Sequence, residues 1–407
     1  MLATLIPLFN ENMMVKGYSV FAEKQNAFMH PMRGGVGRFD GAGFIIGFDL
    51  VESMGIKLLS DDNEVFIEVD EISIFSDIAS QCTAPRDKIV LLLGPGVKPN
   101  ERYLIRVAEL KKLGFKLAFR KLPLSEFENY RPILQLMDYF LINHKSVDMN
   151  KVKVYFEQRY PNTKLCAVNV TSQEEFETLK KDGKYHYFEG PFFRMPIVDS
   201  QIEVAPLKVN YINLLNIVND DDFDLTRAAD VIGQDAALVI SLLSIVNKMT
   251  MNSDVKSVRH AAAMLGQKDL KKWINTAVTK ALCADKPSEI TRICMIRAKF
   301  AENLAPLFDL GGLAQELFLM GMFSVLDIMI DKPMEEALAM VHVSKNVQNA
   351  LVSKSGDLMP IYDFILNHED ASWQEVSRIM VLYSIETDDV YNAYTDALKW
   401  YRDLVTA

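Results

Sequence analysis

In the first half of the chain, several polar residues directly follow short apolar runs, and these have the types that could do chemistry. They are Glu68 near the end of one run with Asp70 and Glu71 after it, Arg120 and Lys121 after another, Asn143 and His144 after a third, and Glu189 after the last. Clustered carboxylates supply the hard oxygen ligands that Mg²⁺ or Mn²⁺ requires. Arg120 and Lys121 do the opposite, repelling a metal and attracting an anion such as a phosphate, unless an ion pair with Glu68 or Asp70 neutralises them; that pairing is the expectation.

Other groups offer less. Gly34-Gly35-Val36-Gly37 and Gly41-Ala42-Gly43 resemble phosphate-cradling loops, yet no Gly-Lys-Ser/Thr follows and the strand-to-helix spacing of a dinucleotide site is absent, so a plain loop is expected. Asp220-Asp221-Asp222 ahead of Asp224 lacks the glycine and final glutamate of a calcium loop and reads as a turn with a helix cap. Cys82, Cys166, Cys283 and Cys294 form no CxxC pair and no zinc-type cluster with histidine, so they are expected to be reduced and mostly buried. The methionines from Met320 to Met340 could form an adaptable binding surface, but core packing is the simpler expectation. The same holds for Trp273, Trp373 and Trp400.

What must position these groups is legible in the hydrophobic pattern. Strand-length apolar runs recur at Thr4–Leu8, Val65–Val69, Ile89–Leu93, Lys116–Phe119, Tyr139–Ile142, Lys164–Val168 and Tyr185–Phe188, with amphipathic helical stretches such as Asn100–Leu113 between them. That alternation predicts a parallel sheet, and seven or eight such units predict a barrel. Gly17–Phe21 is a further run too close to the first for a helical crossover, so those two must form an antiparallel hairpin. The fold class is therefore α/β plus all-α, beginning with an irregular TIM-like (β/α) barrel whose working groups belong at the C-terminal strand ends.

Beyond Pro196 the strand signal stops. Residues 1–198 are expected to form the barrel, 199–206 a linker and 207–407 a helical domain. Asp224, Asp235 and Ser257 each stand where a helix cap is wanted, and Gly233 and Gly266 where a helix should stop. With 407 residues, 49% of them apolar, the chain is long enough for two cores. Its net charge of −10 gives no electrostatic reason to bind nucleic acid or an anionic membrane. The N-terminal Met1–Pro7 stretch lacks a basic segment before its apolar run, and no run has the ~18 apolar residues of a spanning helix, so a cytoplasmic protein is expected.

The order Leu214-Leu215, Asp224-Leu225, Ala228-Ala229, Ile232, Asp235–Leu238, Leu242-Leu243, Val246-Asn247, Ala261 and Leu265-Gly266 resembles an HDOD domain. That family is related to HD-type metal phosphohydrolases and lacks their histidine–aspartate ligands. The corresponding place here reads Gly321-Met322-Phe323-Ser324-Val325-Leu326, with neither ligand at Ser324-Val325.

The first half resembles an EAL domain, the fold of cyclic di-GMP phosphodiesterases, in Pro7, Gly17-Tyr18, its strand spacing and its end, Glu189-Gly190-Pro191-Phe192-Phe193. By that resemblance, the family's signature glutamate falls at Ser19, another acidic ligand near Leu93, and paired aspartates near Arg120-Lys121. Its lysine and aspartate fall near Leu141 and Asn143, and a later glutamate near Val168. The resemblance thus implies a bacterial signal-transduction protein with a degenerate EAL barrel and an HDOD domain, without catalytic residues, metal or cofactor. Ser19, Glu68, Asp70, Arg120, Lys121, Asn143 and Glu189 are left to line a vestigial pocket. Its expected partners are other proteins, a second copy of itself included. A cyclic di-GMP receptor or weak phosphodiesterase is the alternative.

Overall fold

The computed structural model describes residues 1–23, 45–146, 149–194, 204–220, 222–249 and 255–406. Both glycine-rich loops, Asp221, Pro196 and most of the expected linker lie outside the described residues.

Eight strands close into one barrel in chain order: β1 Leu2–Phe9, β2 Val15–Glu23, β3 Glu64–Val69, β4 Ile89–Leu93, β5 Lys116–Arg120, β6 Tyr139–Asn143, β7 Lys164–Val168 and β8 Tyr187–Glu189. β1 runs antiparallel to both neighbours, with Leu5 opposite Val20 and Leu8 opposite Glu189, while every pair from β2/β3 to β7/β8 is parallel. The hairpin expected from the short spacing is present: Asn10 closes it by accepting the Asn12 and Met14 N–H groups. Side chains alternate across a strand, so every second residue enters the lumen, where Leu8, Phe66, Val90, Leu92, Ala118 and Leu141 form one buried cluster.

Helices outside the barrel follow their capping residues. Asn100 accepts from Tyr103 N–H at the start of Glu101–Lys112, and Ser172 accepts from Glu175 N–H at the start of Gln173–Lys181. In the second half, Asp224 caps Leu225–Ile232 and Ser257 caps Val258–Leu282. Gly266, at φ +75°, breaks that last helix where the sequence pattern predicts a stop. The pattern also predicts a single helix over Leu313–Met329. The structure instead has two, Ala314–Phe323 and Leu326–Ile330, because Ser324 turns its hydroxyl back to the Gly321 carbonyl at 2.7 Å.

The chain divides into two compact units, Met1–Met195 with Asp363–Lys399, and Pro196–Tyr362 with Trp400–Ala407. Residues 363–399, helical by sequence pattern, are therefore grouped with the barrel residues. Within that first unit Arg194 forks onto Glu369 Oε2 at 2.6 Å and Asp370 Oδ1 at 2.7 Å. In the second unit, Met320, Met322 and Met329 are fully buried, as core packing requires. Among the described residues no single helix is long and apolar enough to cross a membrane.

Candidate functional site

At the C-terminal end of the strands, alternation from the buried Ala118 brings Arg120 into the lumen, and alternation from Tyr187 brings in Glu189. The guanidinium meets the carboxylate at two points, Nη2 to Oε1 at 2.7 Å and Nη1 to Oε2 at 3.3 Å. Ser19 of β2 donates its hydroxyl to Oε2 at 3.1 Å, and the Phe21 ring lies 4.8 Å from the guanidinium carbon. The Glu189 side chain is only 5% exposed and that of Arg120 15%. Both carboxylate oxygens are thus occupied by cationic or hydroxyl donors, an arrangement that shields the charge from any incoming cation.

Gly190 makes this placement possible. Its φ of +149° and a virtual Cβ only 2.1 Å from the Val170 carbonyl leave no room for a side chain, and in that close approach Val170 N–H donates to the Glu189 carbonyl at 3.1 Å.

The structure therefore brings together Ser19, Arg120 and Glu189 and leaves four of the other expected residues apart. Glu68 is exposed on β3. Asp70 is taken up in a local turn, accepting from Ile72 N–H, Ser73 N–H and the Ser73 hydroxyl. Lys121 is exposed with a backbone φ of +61°. Asn143 caps its own loop by accepting from Lys145 N–H at 3.1 Å. The expected pairing of Arg120 with Glu68 or Asp70 is corrected: alternation points Arg120 inward to β8, while Asp70 is consumed by its own turn.

Two polar clusters were not singled out in the sequence. At the N-terminal strand ends Glu64 accepts from Tyr139 Oη at 2.7 Å and pairs with Lys116, while Lys164 stands 5.4 Å over the Tyr139 ring. Burial, reinforced by Glu64, pushes the Tyr139 phenol far above its ordinary value. The recurring charged first residue of β3, β5 and β7 is the signal that reveals this cluster. Beside the mouth, Glu175 is held down to about 2 by the Thr171 N–H first and by Lys145 at 2.9 Å, and His144 Nε2 lies 3.7 Å from it. Between the two barrel ends, burial and then Glu189 and Glu64 push the Cys166 thiol well up, which keeps it protonated and inert.

Among the described residues no group of three or more His, Cys, Asp or Glu side chains is arranged to hold a metal ion. The metal-binding carboxylate site implied by the EAL resemblance does not fit the residues present: a guanidinium occupies the lumen beside Glu189, the only buried carboxylate of the mouth among the described residues.

In the second unit, helices Pro206–Asn219, Leu225–Ile232, Ala236–Met249, Val258–Leu282 and Ser288–Leu304 precede the break at Ser324. Residues 204–346 match the family model described as the HDOD domain. The chain carries an HDOD domain, following the barrel strands in sequence. Curated relatives span both parts: "Cyclic di-GMP phosphodiesterase CdgJ" of Vibrio cholerae is 27% identical over 79% of this chain and 75% of its own length. "Uncharacterized protein YuxH" of Bacillus subtilis is 24% identical over 98% of each. Solved structures similar to the first half include the EAL-like domain protein YdiV, at 9% identity and TM-score 0.35 over 46% of this chain and 89% of that one. Another is a standalone EAL protein of Vibrio cholerae in its c-di-GMP-bound form, at 15% identity and TM-score 0.37 over 47% and 90%.

Inside the HDOD domain, the place where the resemblance puts the histidine–aspartate doublet, Ser324-Val325, holds a different chemistry. Arg297, 3% exposed, donates from Nη1 to the Ser324 hydroxyl at 2.9 Å. Asp327, three residues on, is pushed up to about 6 by burial. Of the histidines in the helical half, His260 and His342 are exposed, and His368 is buried against Phe364, Trp373 and Tyr394 in the first unit. The guanidinium has no lone pair to offer a metal and repels a cation, and the Ser324 hydroxyl is already engaged, accepting from Arg297 and donating to the Gly321 carbonyl.

Proposed function

We propose that this protein is a non-catalytic signal-transduction regulator related to cyclic di-GMP phosphodiesterases, acting through protein–protein contacts. The observation that carries this reading is the Arg120–Glu189 pair. A two-point ion pair, buried and joined by Ser19, stands where the EAL resemblance expects carboxylates around metal ions. Hydrolysis of a phosphodiester at a two-metal site needs ions that stabilise both attacking and leaving oxygens, and this mouth supplies a neutralised carboxylate instead.

The HDOD domain supports the same reading independently, since Ser324-Val325 stands at the expected doublet position and Arg297 takes up the Ser324 hydroxyl. Two architectures of enzymatic ancestry, each without ligands at the expected place, leave binding as the function that the fold can still perform. Partners are sought among other signalling proteins, with a second copy of the chain included.

The 27% identity to a protein named as a cyclic di-GMP phosphodiesterase favours hydrolysis or reception of that nucleotide as the second reading. Isothermal titration with cyclic di-GMP, with and without Mg²⁺ or Mn²⁺, followed by chromatography for the linear product, separates the readings. The expected result is no product and no heat. Product would overturn the non-catalytic reading, and heat without product would replace the adaptor with a receptor.

A further inference from the structure

The HDOD domain contains a half-open cavity of about 880 Å³ to which neither the barrel mouth nor the doublet position contributes. Its size lies in the upper part of the range of roughly 300–1,000 Å³ typical of ligand sites. Its walls come from the second unit: the end of Pro206–Asn219, the middle of Val258–Leu282, the helix Ala314–Phe323 and the irregular stretch Val341–Ser344, with Glu302, Ala339 and Gln348 added from three further helices.

The lining has three chemistries. Leu319, Val341 and Val343 offer apolar surface. Asn219 and Asn275 hold each other through reciprocal amide bonds of 3.0 and 3.2 Å, which fixes both amides while leaving lone pairs and one N–H of Asn219 for a visitor. Charges of both signs surround them: three lysines, among them Lys268 and Lys271, and four carboxylates, among them Asp220 and Glu316. Lys272 and Glu302 neutralise each other at 2.7 Å.

That combination selects a ligand class. With four carboxylates against three lysines the walls carry no positive excess to draw a polyphosphate or nucleotide, and seven charged side chains oppose a lipid tail. A polypeptide in extended form satisfies all three chemistries at once, with amide groups for the asparagines, an apolar side chain for the floor, and flanking charges for the rim. In the wall itself the Val343 N–H has no hydrogen-bond partner among the described residues, which leaves one backbone donor for such a segment.

We infer that this cavity docks a short extended segment of a partner protein, one carrying an apolar side chain flanked by residues of opposite charge. The inference rests on the partner-binding reading above and gives it a site.

The test uses the full-length protein and a phage-displayed library of random twelve-residue peptides, panned on wild type and re-measured as synthetic peptides by fluorescence polarisation. Two variants accompany it: Ala339→Trp, which grows an indole from an exposed lining position into the cavity, and Lys268→Glu, which reverses an exposed rim charge. Enriched peptides are expected to share an apolar residue between opposite charges. They should bind Ala339→Trp at least about tenfold more weakly and Lys268→Glu severalfold more weakly, with the circular dichroism of both variants unchanged. No enrichment over bare support, or peptides indifferent to both variants, would overturn the inference. A partner protein retained equally by wild type and Ala339→Trp overturns the cavity alone, whereas turnover of cyclic di-GMP overturns the parent reading and leaves peptide binding to stand.

Discussion

Arg120 and Glu189, 69 positions apart in sequence, face each other across the barrel mouth as a two-point ion pair with contacts of 2.7 and 3.3 Å. The pair is buried, so its two halves differ in consequence from its whole. Truncating one partner strands a charge in a low-dielectric lumen, while replacing both leaves no charge to strand.

Arg120→Ala is therefore expected to destabilise the first unit by about 3–5 kcal/mol. The double variant Arg120→Met/Glu189→Leu should lose far less. Urea denaturation of the wild type, both singles and the double reads this directly. Equal losses in the single and double variants would show that the pair does not act as a unit.

Gly190 carries the same mouth from the backbone side. With a virtual Cβ 2.1 Å from the Val170 carbonyl, Gly190→Ala must push β8 away from the loop after β7. The expected loss is at or beyond the upper end of the ~1–3 kcal/mol usual for overpacking. Wild-type stability in the alanine variant would mean that the close approach is not needed.

The strand positions are legible in the sequence because apolar runs bounded by polar residues coincide with barrel strands whose outer faces are covered. Ile89–Leu93 and Lys164–Val168 match residue for residue, and β8 is displaced only from Tyr185–Phe188 to Tyr187–Glu189. The partner of Arg120 is not legible, because pairing across a closed barrel depends on which strands meet at the mouth, and β8 lies 69 positions away. Likewise the break at Ser324 is hidden: a hydroxyl that bonds back to Gly321 interrupts a run whose apolar pattern continues unchanged.

His368 gives the first unit a pH dependence. Burial among Phe364, Trp373 and Tyr394 lowers its value from 6.5 to about 4, with neighbouring Glu369 pulling weakly the other way. Between those values the unfolded chain binds the proton and the folded one does not, so stability rises with pH and is complete above about 6.5. At about 1.36 kcal/mol per unit the effect is roughly 3 kcal/mol. Denaturation followed by Trp373 fluorescence at pH 4.5 and 7.5 should show this dependence in wild type and a flatter one in His368→Phe. The same dependence in both would assign it elsewhere.

Asp327 acts with the opposite sign in the HDOD domain. Its value is raised from 3.8 to about 6, so the folded state binds the extra proton in that window and stability falls as pH rises through it. Asp327→Asn keeps the Oδ1 that accepts from Ile328 N–H and removes the charge. It is expected to raise stability at pH 7.5 by about 1–3 kcal/mol and to leave it unchanged near pH 3.5. Calorimetric scans at the two pH values check this; destabilisation at pH 7.5 would show that the charge is needed by Arg297 or Lys354.

Arg194 ties the turn after β8 to the helix Met359–Glu369 through two short contacts, to Glu369 at 2.6 Å and to Asp370 at 2.7 Å. The arginine and Glu369 side chains are each 16% exposed, whereas Asp370 is 59% exposed, so the Glu369 arm carries most of the interaction. Removing the guanidinium leaves a mostly buried carboxylate beside His368, which disfavours the packed position of residues 363–399 without touching the barrel strands. Hydrogen exchange should therefore rise in Trp373–Tyr383 of Arg194→Ala, by about tenfold for each 1.4 kcal/mol lost, while protection in β4 and β5 stays at its wild-type level. If exchange in β4 and β5 accelerates equally, the fork supports the whole unit and the two segments unfold as one; if neither changes, the helical segment is held by its apolar contacts alone.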